Sequence, residues 1–275
     1  AALMHTPAFR FHSPLAKALS LCSVLSVLTF SAAPVLAADT AAAMVYSIAS
    51  AKAVESLLLD VAHAGARLVA VGDRGHILYS DDQGVSWVQA KVPTRQMLTS
   101  VFFVDDKKGW GTGHDALILA TEDGGVAWTQ QFVDLEREAP LLDIWFKNAE
   151  QGFAVGAYGA LLETTDGGAN WEDVSDRLDN EDQHHLNAIT EVKDSGLFAV
   201  GEMGGMYRSS DWGQTWETIE GPYEGSLFGA LGTGEVGGIL VYGLRGHMFR
   251  SGDFGKSWQQ INLKGATGRL DFGLS

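Results

Sequence analysis

The amino-acid sequence predicts an all-β fold, a β-propeller of four-stranded antiparallel blades, and three observations lead to it. An octet of the form Ser/Thr-x-Asp-x-Gly-x-x-Trp recurs along the chain, beginning at Ser80, Thr121, Thr164, Ser209 and Ser251. Successive copies start about 40 to 45 residues apart, which is the length of one propeller blade. Composition agrees, because 33 glycines against 6 prolines in 275 residues suit many tight turns between short strands.

Each repeat unit contains four short apolar runs, and none of them is long enough to predict a helix. The first runs begin at Leu57, Leu98, Leu141, Leu186 and Leu227. The second and third runs flank a turn in blocks such as VAVGDRGHILY, which starts at Val69, and the octet then leads into the fourth run. Because a single blade cannot bury both of its faces, we expect the units to stack around a common axis.

The octet is predicted to form the turn between the third and fourth strands. Its aspartate can accept hydrogen bonds from turn amides, and its glycine can adopt the left-handed backbone that such a turn needs. Its tryptophan starts the fourth strand and supplies a large apolar surface for packing between blades. We therefore interpret these residues as structural and not catalytic: Asp82, Asp123, Asp166, Asp211, Asp253, Trp87, Trp128, Trp171, Trp216 and Trp258.

The ends of the repeat region leave the closure of the ring open. Five complete blades are expected between about Leu57 and Leu263, and residues 269–274 look like one strand of a sixth blade. This pattern favours a propeller that is incomplete at its C-terminus. In the alternative, residues 39–56 join the last strand and close a small ring.

The first residues have the order of a secretory signal. A segment with Arg10 and Lys17 follows Met4, the predicted start, and an apolar run and small residues end at Ala37. We expect cleavage after Ala37, so residues 1–37 are the signal peptide, residues 38–56 an N-terminal segment and residues 57–275 the propeller. The mature protein is then exported, for example to the periplasm, without an integral membrane span; the alternative is an uncleaved anchor.

Charge and cysteine content exclude several classes of function. The formal net charge of −15 repels phosphate backbones, which argues against nucleic acid as a ligand. The single cysteine, Cys22, lies in the predicted signal, so the mature chain has no disulfide and no cysteine metal site. Adjacent His184 and His185 in an extended chain point to opposite sides, which is poor geometry for chelation. We predict no metal and no cofactor.

The turns between the second and third strands are the predicted partner-binding site. They share one glycine-flanked frame but present different residues in each blade, namely Asp73, Arg74, His114, Asp115, Tyr158, Glu202, Met203 and Arg245. Loops on a rigid scaffold commonly carry function; the alternative is that these are solvated turn tips. Arg137, in a longer connection between blades, is expected to reach the same face.

A second set of polar residues lies in the first strands of four units: Asp60, Ser100, Asp143 and Asn187. We expect them to fall in register beside the turn ring and to line the mouth of the central channel. The alternative is that they satisfy neighbouring backbone groups.

The combined pattern V-G-x-x-G-x-(I/L) leading into (S/T)-x-D-G-G-x-x-W resembles the photosystem II stability and assembly-factor family, propellers of the BNR or Asp-box class. The similarity runs from about Leu57 to the end of the chain. It implies a seven-bladed ring and a lumenal or periplasmic scaffold that binds membrane-protein subunits without catalysis. Photosynthetic members are thought to use an arginine-rich patch, of which Arg74, Arg245 and Arg137 are the counterparts here. Relatives in non-photosynthetic bacteria look like periplasmic companions of transport systems.

Propellers of this class also include sialidases and other glycoside hydrolases, which gives the alternative function. A sialidase needs an arginine followed by Ile-Pro before the first octet, and neither Arg67 nor Arg74 has that context. A two-carboxylate glycosidase could draw on Asp60, Asp143, Asp115 or Glu202, provided that two carboxylates lie about 5 to 9.5 Å apart. The prediction is a non-catalytic scaffold that binds a membrane-associated protein.

Overall fold

A computed structural model describes residues 44–262, which form a five-bladed β-propeller of four-stranded antiparallel sheets. Each sheet uses four consecutive strands in chain order, so the predicted all-β fold and its five complete blades are confirmed. Residues 1–43 and 263–275 lie outside the described residues. The predicted signal peptide and the predicted strand at residues 269–274 fall there and stay predictions.

The strands follow one another in the same way in every blade. Blade 1 contains β1 (Leu58–Ala64), β2 (Arg67–Gly72), β3 (Ile77–Ser80) and β4 (Val88–Gln89). Blade 2 contains β5 (Leu98–Phe103), β6 (Gly109–Gly113), β7 (Ile118–Thr121) and β8 (Thr129–Phe132). Blade 3 contains β9 (Leu141–Phe146), β10 (Gly152–Gly156), β11 (Leu161–Thr164) and β12 (Glu172–Asp173). Blade 4 contains β13 (Leu186–Val192), β14 (Gly196–Gly201), β15 (Met206–Ser209) and β16 (Glu217–Thr218). Blade 5 contains β17 (Leu227–Gly232), β18 (Ile239–Gly243), β19 (Met248–Ser251) and β20 (Gln259–Gln260).

Short 3-10 helices are the helical elements among the described residues. They span Ala53–Glu55, Asp73–Gly75, Ala157–Gly159, Ser175–Arg177, Glu202–Gly204 and Leu244–Gly246. Within residues 44–262, no helix is long and apolar enough to cross a membrane.

The hydrophobic core is divided among the junctions between consecutive blades. Four clusters of buried residues join blades 1 and 2, 2 and 3, 3 and 4, and 4 and 5. The octet tryptophan of the later blade belongs to each junction: Trp128 is a buried member of its cluster, and Trp171, Trp216 and Trp258 are half-buried and packed against theirs. Each of these tryptophans therefore packs against the preceding blade, as expected for an indole that links neighbouring sheets.

Polar contacts connect the same neighbours at the octet turns. A side-chain donor of the earlier blade reaches a backbone carbonyl within the octet of the later blade at all four junctions. The pairs are Arg67 to Gly124 at 3.1 Å, Trp110 to Gly167 at 3.2 Å, Arg177 to Gly213 at 2.9 Å and Arg208 to Phe254 at 3.0 Å. These bonds tie each octet to the preceding blade.

The N-terminal segment contacts blade 1. The Ser47 backbone amide donates to the Val92 carbonyl at 2.9 Å, and the Gln89 side chain donates to the carbonyl of Ile48 at 3.0 Å. Arg95 donates to the Tyr46 carbonyl at 2.9 Å. Residues 44–52 thus lie along the outer edge of blade 1. The alternative in which residues 39–56 join the last strand involves residues 269–274, which lie outside the described residues, and stays a prediction.

We expect Trp128→Ala to lower the free energy of unfolding by about 3–5 kcal/mol, because a large buried side chain between two blades is lost. The matched change is Trp87→Ala, at the same octet position in blade 1, where the indole is half-buried and lies outside the four clusters. Its expected cost is about 1–2 kcal/mol. Urea unfolding of both variants measures the difference. Equal losses would contradict the assignment of Trp128 to the junction between blades 1 and 2.

Candidate functional site

The five turns between second and third strands share one tight geometry. In each, the amide of the fourth residue donates to the carbonyl of the first, as from His76 to Asp73 at 3.0 Å. The two central residues have left-handed backbones, for example Arg74 with φ 57° and Gly75 with φ 69°. This is the type I′ turn, whose twist matches that of a β-hairpin.

Each turn is also anchored to the start of its own blade. Its first residue donates a backbone hydrogen bond to the residue just before the first strand. The pairs are Asp73 to Leu57, His114 to Met97, Ala157 to Pro140, Glu202 to His185 and Leu244 to Ser226, all between 2.8 and 3.0 Å. The turns and the connections between blades therefore share one face, hereafter the turn face, and the octets lie at the opposite ends of the third strands.

The second residue of each turn is the one displayed, and its chemistry changes from blade to blade. These residues are Arg74, Asp115, Tyr158, Met203 and Arg245. The side chain of Arg74 is 78% exposed, and Tyr158 and Met203 are 62% and 66% exposed. A left-handed backbone is uncommon for residues other than glycine, so the same unfavourable geometry is maintained in five different sequences.

Several of the predicted binding residues are engaged with neighbours. Asp73 pairs with Arg74 at 3.3 Å, and Asp115 accepts a hydrogen bond from Gln96. Arg137 does reach this side of the molecule, where it pairs with Asp134 at 3.7 Å and with Asp173 of β12 in blade 3. Since two carboxylates already surround Arg137, it is the least available of the three arginines for an acidic partner.

Blades 3 to 5 bring aromatic and apolar side chains together on the turn face. We call Tyr158, His185, Met203, Tyr223, Leu244 and Arg245 the turn patch. The Tyr158 and His185 rings meet edge to face at 5.3 Å, and the His185 amide donates to the Glu202 carboxylate at 3.1 Å.

The remaining members continue this chain of contacts. Gly204, which follows Met203 in its turn, lies against the Tyr223 carbonyl. The Tyr223 hydroxyl donates to the Leu244 carbonyl at 3.1 Å. The Tyr223 ring stacks on His247 at 4.3 Å. Arg245 is exposed and forms no ion pair among residues 44–262.

Two members of the turn patch come from connections between blades and not from the turns. The sequence led us to expect Arg137, in another such connection, on this face, but not to pair His185 or Tyr223 with the neighbouring turns. His247 was not singled out at all. An aromatic residue or histidine close before a first strand is the signal that could have identified His185 and Tyr223.

The polar residues of the first strands form a bridge across three blades. The Ser100 hydroxyl lies 2.9 Å from Oδ2 of Asp60 and 2.8 Å from Oδ1 of Asp143. The Asp60 carboxylate also accepts from the Val101 amide of blade 2, and that of Asp143 from the Ile189 amide of blade 4, each at 2.8 Å. These side chains satisfy backbone donors of neighbouring blades. This is the alternative that the sequence analysis gave to a lining of the channel mouth.

Asn187 does not belong to this register. A β-bulge in the first strand of each blade displaces one residue, and in blade 4 the displaced residue is Asn187, so that Ala188 pairs with Val200 as Asp143 pairs with Val155. Asn187 instead donates to the Leu227 carbonyl of blade 5 at 2.8 Å. Its expected alignment with Asp60, Ser100 and Asp143 was wrong because Asn187 lies one residue after the first leucine of its strand, at the bulged position, whereas the other three lie two residues after theirs.

The environment of the bridge favours protonated carboxyls. Desolvation, together with the nearby charge of Asp60, raises the pKa of Asp143 to about 7, against the lowering effect of the amide hydrogen bonds. Desolvation likewise raises the pKa of Asp60. The pKa of Tyr242 is raised by desolvation and by the charges of Asp143 and Asp60. The three groups therefore lie close together near the propeller axis.

The octet aspartates behave in the opposite way. In blade 1, Asp82 accepts hydrogen bonds from the Ser80 hydroxyl at 2.8 Å and from the amide and hydroxyl of Ser86 at 2.8 and 2.6 Å. The same contacts recur around Asp253. Donation from Ser86 and from Ser257 lowers the pKa of Asp82 and Asp253 to about 2. These carboxylates thus stay ionised and hold the turn.

No group of three or more histidine, cysteine, aspartate or glutamate side chains within residues 44–262 is arranged to hold a metal ion. The segment with His184 and His185 is instead tied internally: Asn180 donates to the His184 carbonyl at 2.9 Å and accepts from the His184 amide at 3.1 Å. This loop positions His185 beside Tyr158.

Comparison with known proteins gives one family. The family described as Photosynthesis system II assembly factor YCF48 matches residues 80–139 and 129–270, more than half of the chain. The Photosystem II stability/assembly factor HCF136, chloroplastic, of Cyanidioschyzon merolae is 39% identical over 62 residues. That match covers 22% of this chain and only 14% of the relative.

Two solved structures are among those found similar to this chain. YCF48 bound to a D1 peptide is 18% identical, with 74% of this chain and 81% of that chain covered and a TM-score of 0.45. An ancestral GH74 enzyme is 14% identical, with 74% of this chain and 31% of that chain covered and a TM-score of 0.61. At such identity the second likeness concerns the propeller fold alone.

Gly204→Ala tests whether the turn frame depends on glycine. Gly204 has φ +75°, and an added Cβ would lie 2.3 Å from the Tyr223 carbonyl oxygen. Backbone strain and the collision should together lower the free energy of unfolding by about 2 kcal/mol or more. The control is Gly234→Ala, at φ +79° with no atom within 4 Å of the added Cβ, where about 1 kcal/mol of strain is expected.

Urea unfolding curves of the two glycine variants give the comparison. If Gly204→Ala were no more destabilising than Gly234→Ala, the turn would not be held against Tyr223 as described.

Proposed function

We propose, from the premise that this chain belongs to the Photosynthesis system II assembly factor YCF48 family, that it is a non-catalytic scaffold whose turn patch binds a segment of a membrane-associated protein. The observation that carries this proposal is the turn patch itself. The exposed apolar side chains of Tyr158, Met203 and Leu244 come from the turns of three blades and lie on one face of a rigid frame, and contacts of His185 and Tyr223 connect these turns. Exposed apolar side chains grouped on one face are typical of protein interaction sites.

The chemistry of the patch indicates the kind of segment that fits. Tyr158, Met203 and Leu244 offer apolar contact, and tyrosine and arginine are the residue types that dominate protein interfaces. Arg245 stands at one end of the patch without an ion pair among the described residues, so it can receive a carboxylate of the partner. An extended peptide with apolar side chains and an acidic group meets both requirements.

The family supports the same class of partner. YCF48 has been solved with a bound D1 peptide, and the curated relative is a photosystem II stability and assembly factor. We propose for this chain a role of the same type, in which the propeller holds a membrane-protein segment during assembly. The alternative partner is a component of a membrane transport system, in which case the same patch binds a different peptide.

Catalysis is not required to explain the polar groups of this fold. The carboxylates suited to a two-carboxylate glycosidase, Asp60 and Asp143, accept hydrogen bonds from backbone amides of two blades each and from Ser100. Groups held in this way serve the packing of the first strands.

The proposed site of action is an exported compartment, periplasm or lumen, on the strength of the signal-like residues 1–37.

Binding of a fluorescent synthetic D1 peptide to the full chain tests the proposal, with Tyr158→Asp and Met203→Asp as variants. Each change places a charge in the apolar patch and should weaken binding about tenfold or more, the loss typical of a central interface residue. Fluorescence anisotropy measures the affinity. The matched control is Val85→Asp, because Val85 is 86% exposed in an octet turn on the opposite face.

A second arm covers partners other than D1. The full chain is cross-linked in detergent-solubilised membranes of its source, and captured membrane proteins are quantified for the wild type and the three variants. Loss of the same captured protein in Tyr158→Asp and Met203→Asp but not in Val85→Asp supports a transport or other membrane partner. If neither D1 peptide nor any membrane protein is bound through the patch, the proposal is wrong.

A further inference from the structure

We propose that Asp60, Ser100 and Asp143 share one proton at neutral pH and that this proton locks the first strands of blades 1, 2 and 3 together. The inference does not depend on the proposed function. It rests on the number of hydrogens available at the bridge. It assigns a proton-dependent contact to the region of the propeller nearest the axis.

A serine hydroxyl has one hydrogen and can donate to one acceptor at a time. Ser100 Oγ nevertheless lies at hydrogen-bond distance from two carboxyl oxygens, 2.9 Å from Asp60 and 2.8 Å from Asp143. If both carboxyls were ionised, one of these contacts would place two lone pairs face to face. One carboxyl proton removes the conflict, because that carboxyl then donates to Ser100 while Ser100 donates to the other.

The carboxyls cannot turn away from this arrangement without losing other bonds. Asp60 accepts from the amides of Val61 and Val101 at 2.8 Å each. Asp143 accepts from the amide of Ile144 at 2.9 Å and from that of Ile189 at 2.8 Å. The amide donors hold both groups in place beside the hydroxyl, so the two carboxyls compete for one hydrogen.

Few other charges act on the bridge. Desolvation, together with the charges of Asp143 and Asp60, raises the pKa of Tyr242 on β18. His63 on β1, Arg67 on β2 and Glu191 on β13 lie toward the octet ends of their strands. No lysine or arginine forms an ion pair with Asp60 or Asp143 within residues 44–262. Like charge and desolvation thus both favour the protonated form, in agreement with the pKa of about 7 for Asp143.

The bridge lies close to the turn face. Asp60, Ser100 and Asp143 follow closely after Leu57, Met97 and Pro140, whose carbonyls anchor the turns of the same three blades. Loss of the proton turns a hydrogen-bonded bridge into two facing carboxylates, which weakens the contact among β1, β5 and β9. The starts of these three strands are where we expect the structure to loosen as the pH rises.

The sign of the effect on stability follows from linkage. The folded chain binds this proton more tightly than the unfolded chain, in which the Asp143 carboxyl has its ordinary pKa of 3.8. Its contribution to stability is therefore complete below that value and is lost as the pH rises through about 7. While one proton separates the two states, the unfolding equilibrium constant grows about tenfold per pH unit.

Urea unfolding of the full chain between about pH 5 and pH 7 tests the proposal with Asp143→Asn. The side-chain amide introduced by Asp143→Asn is a permanent donor to Ser100, so the variant needs no proton at this site. The unfolding equilibrium constant of the wild type should therefore grow with pH more steeply than that of the variant, by about tenfold per pH unit. Asp194→Asn is the control, since it makes the same chemical change at an exposed turn and should follow the wild type. If Asp143→Asn keeps the wild-type pH dependence, the proposal is wrong.

Infrared spectroscopy of the folded protein gives a second readout that does not require the variants to be stable. The wild type near neutral pH should show the C=O band of a protonated carboxyl, which fades as the pH rises through about 7. Asp60→Asn offers a second variant, in which that band should be absent or moved to a different pH range. Absence of a protonated carboxyl in the wild type at about pH 6 would overturn the assignment.

Discussion

The structure depends on the burial of each octet tryptophan against the preceding blade. A four-stranded sheet has two apolar faces and cannot bury both alone, so its stability comes from its neighbours. Trp128, Trp171, Trp216 and Trp258 supply the apolar part of each junction, and a donor from the earlier blade to an octet carbonyl supplies the polar part. The octet glycine belongs to the same constraint. At Gly213, a Cβ would lie 2.2 Å from the Phe153 ring of blade 3.

This constraint separates the two faces of the propeller. The octet face repeats the same residues because every copy makes the same contacts with its neighbour. On the turn face, only the backbone geometry repeats, and the displayed residue is free to vary from arginine to tyrosine and methionine. The proposed partner therefore contacts the turn face, where blades 3 to 5 present apolar side chains together with Arg245.

Polar groups near the axis follow a different rule from those at the surface. The octet carboxylates of Asp82 and Asp253 face solvent, accept several hydrogen bonds and are stable as anions, which their low pKa values express. Asp60 and Asp143 are enclosed beside each other, so ionisation of both is unfavourable, and the pKa of Asp143 rises. Aspartate thus stabilises an exposed turn as an anion and links three strands near the axis in a protonated form. Solvation of the carboxyl group accounts for the difference in pKa.

The sequence by itself determined the number of blades described, the strand order within each, and the residues at the turn tips, because all of these follow from local patterns repeated in register. Only the tertiary structure decided which polar residues meet. Asp60, Ser100 and Asp143 are about 40 residues apart along the chain and touch across three blades, whereas Asn187 occupies the bulged position of its strand, one residue before theirs. Arg137 is held by Asp173, and His185 and Tyr223 join the turn patch, through contacts that cross from one blade to the next. Periodicity shows where a blade lies, but contacts between blades depend on how the sheets twist and pack, which no single repeat contains.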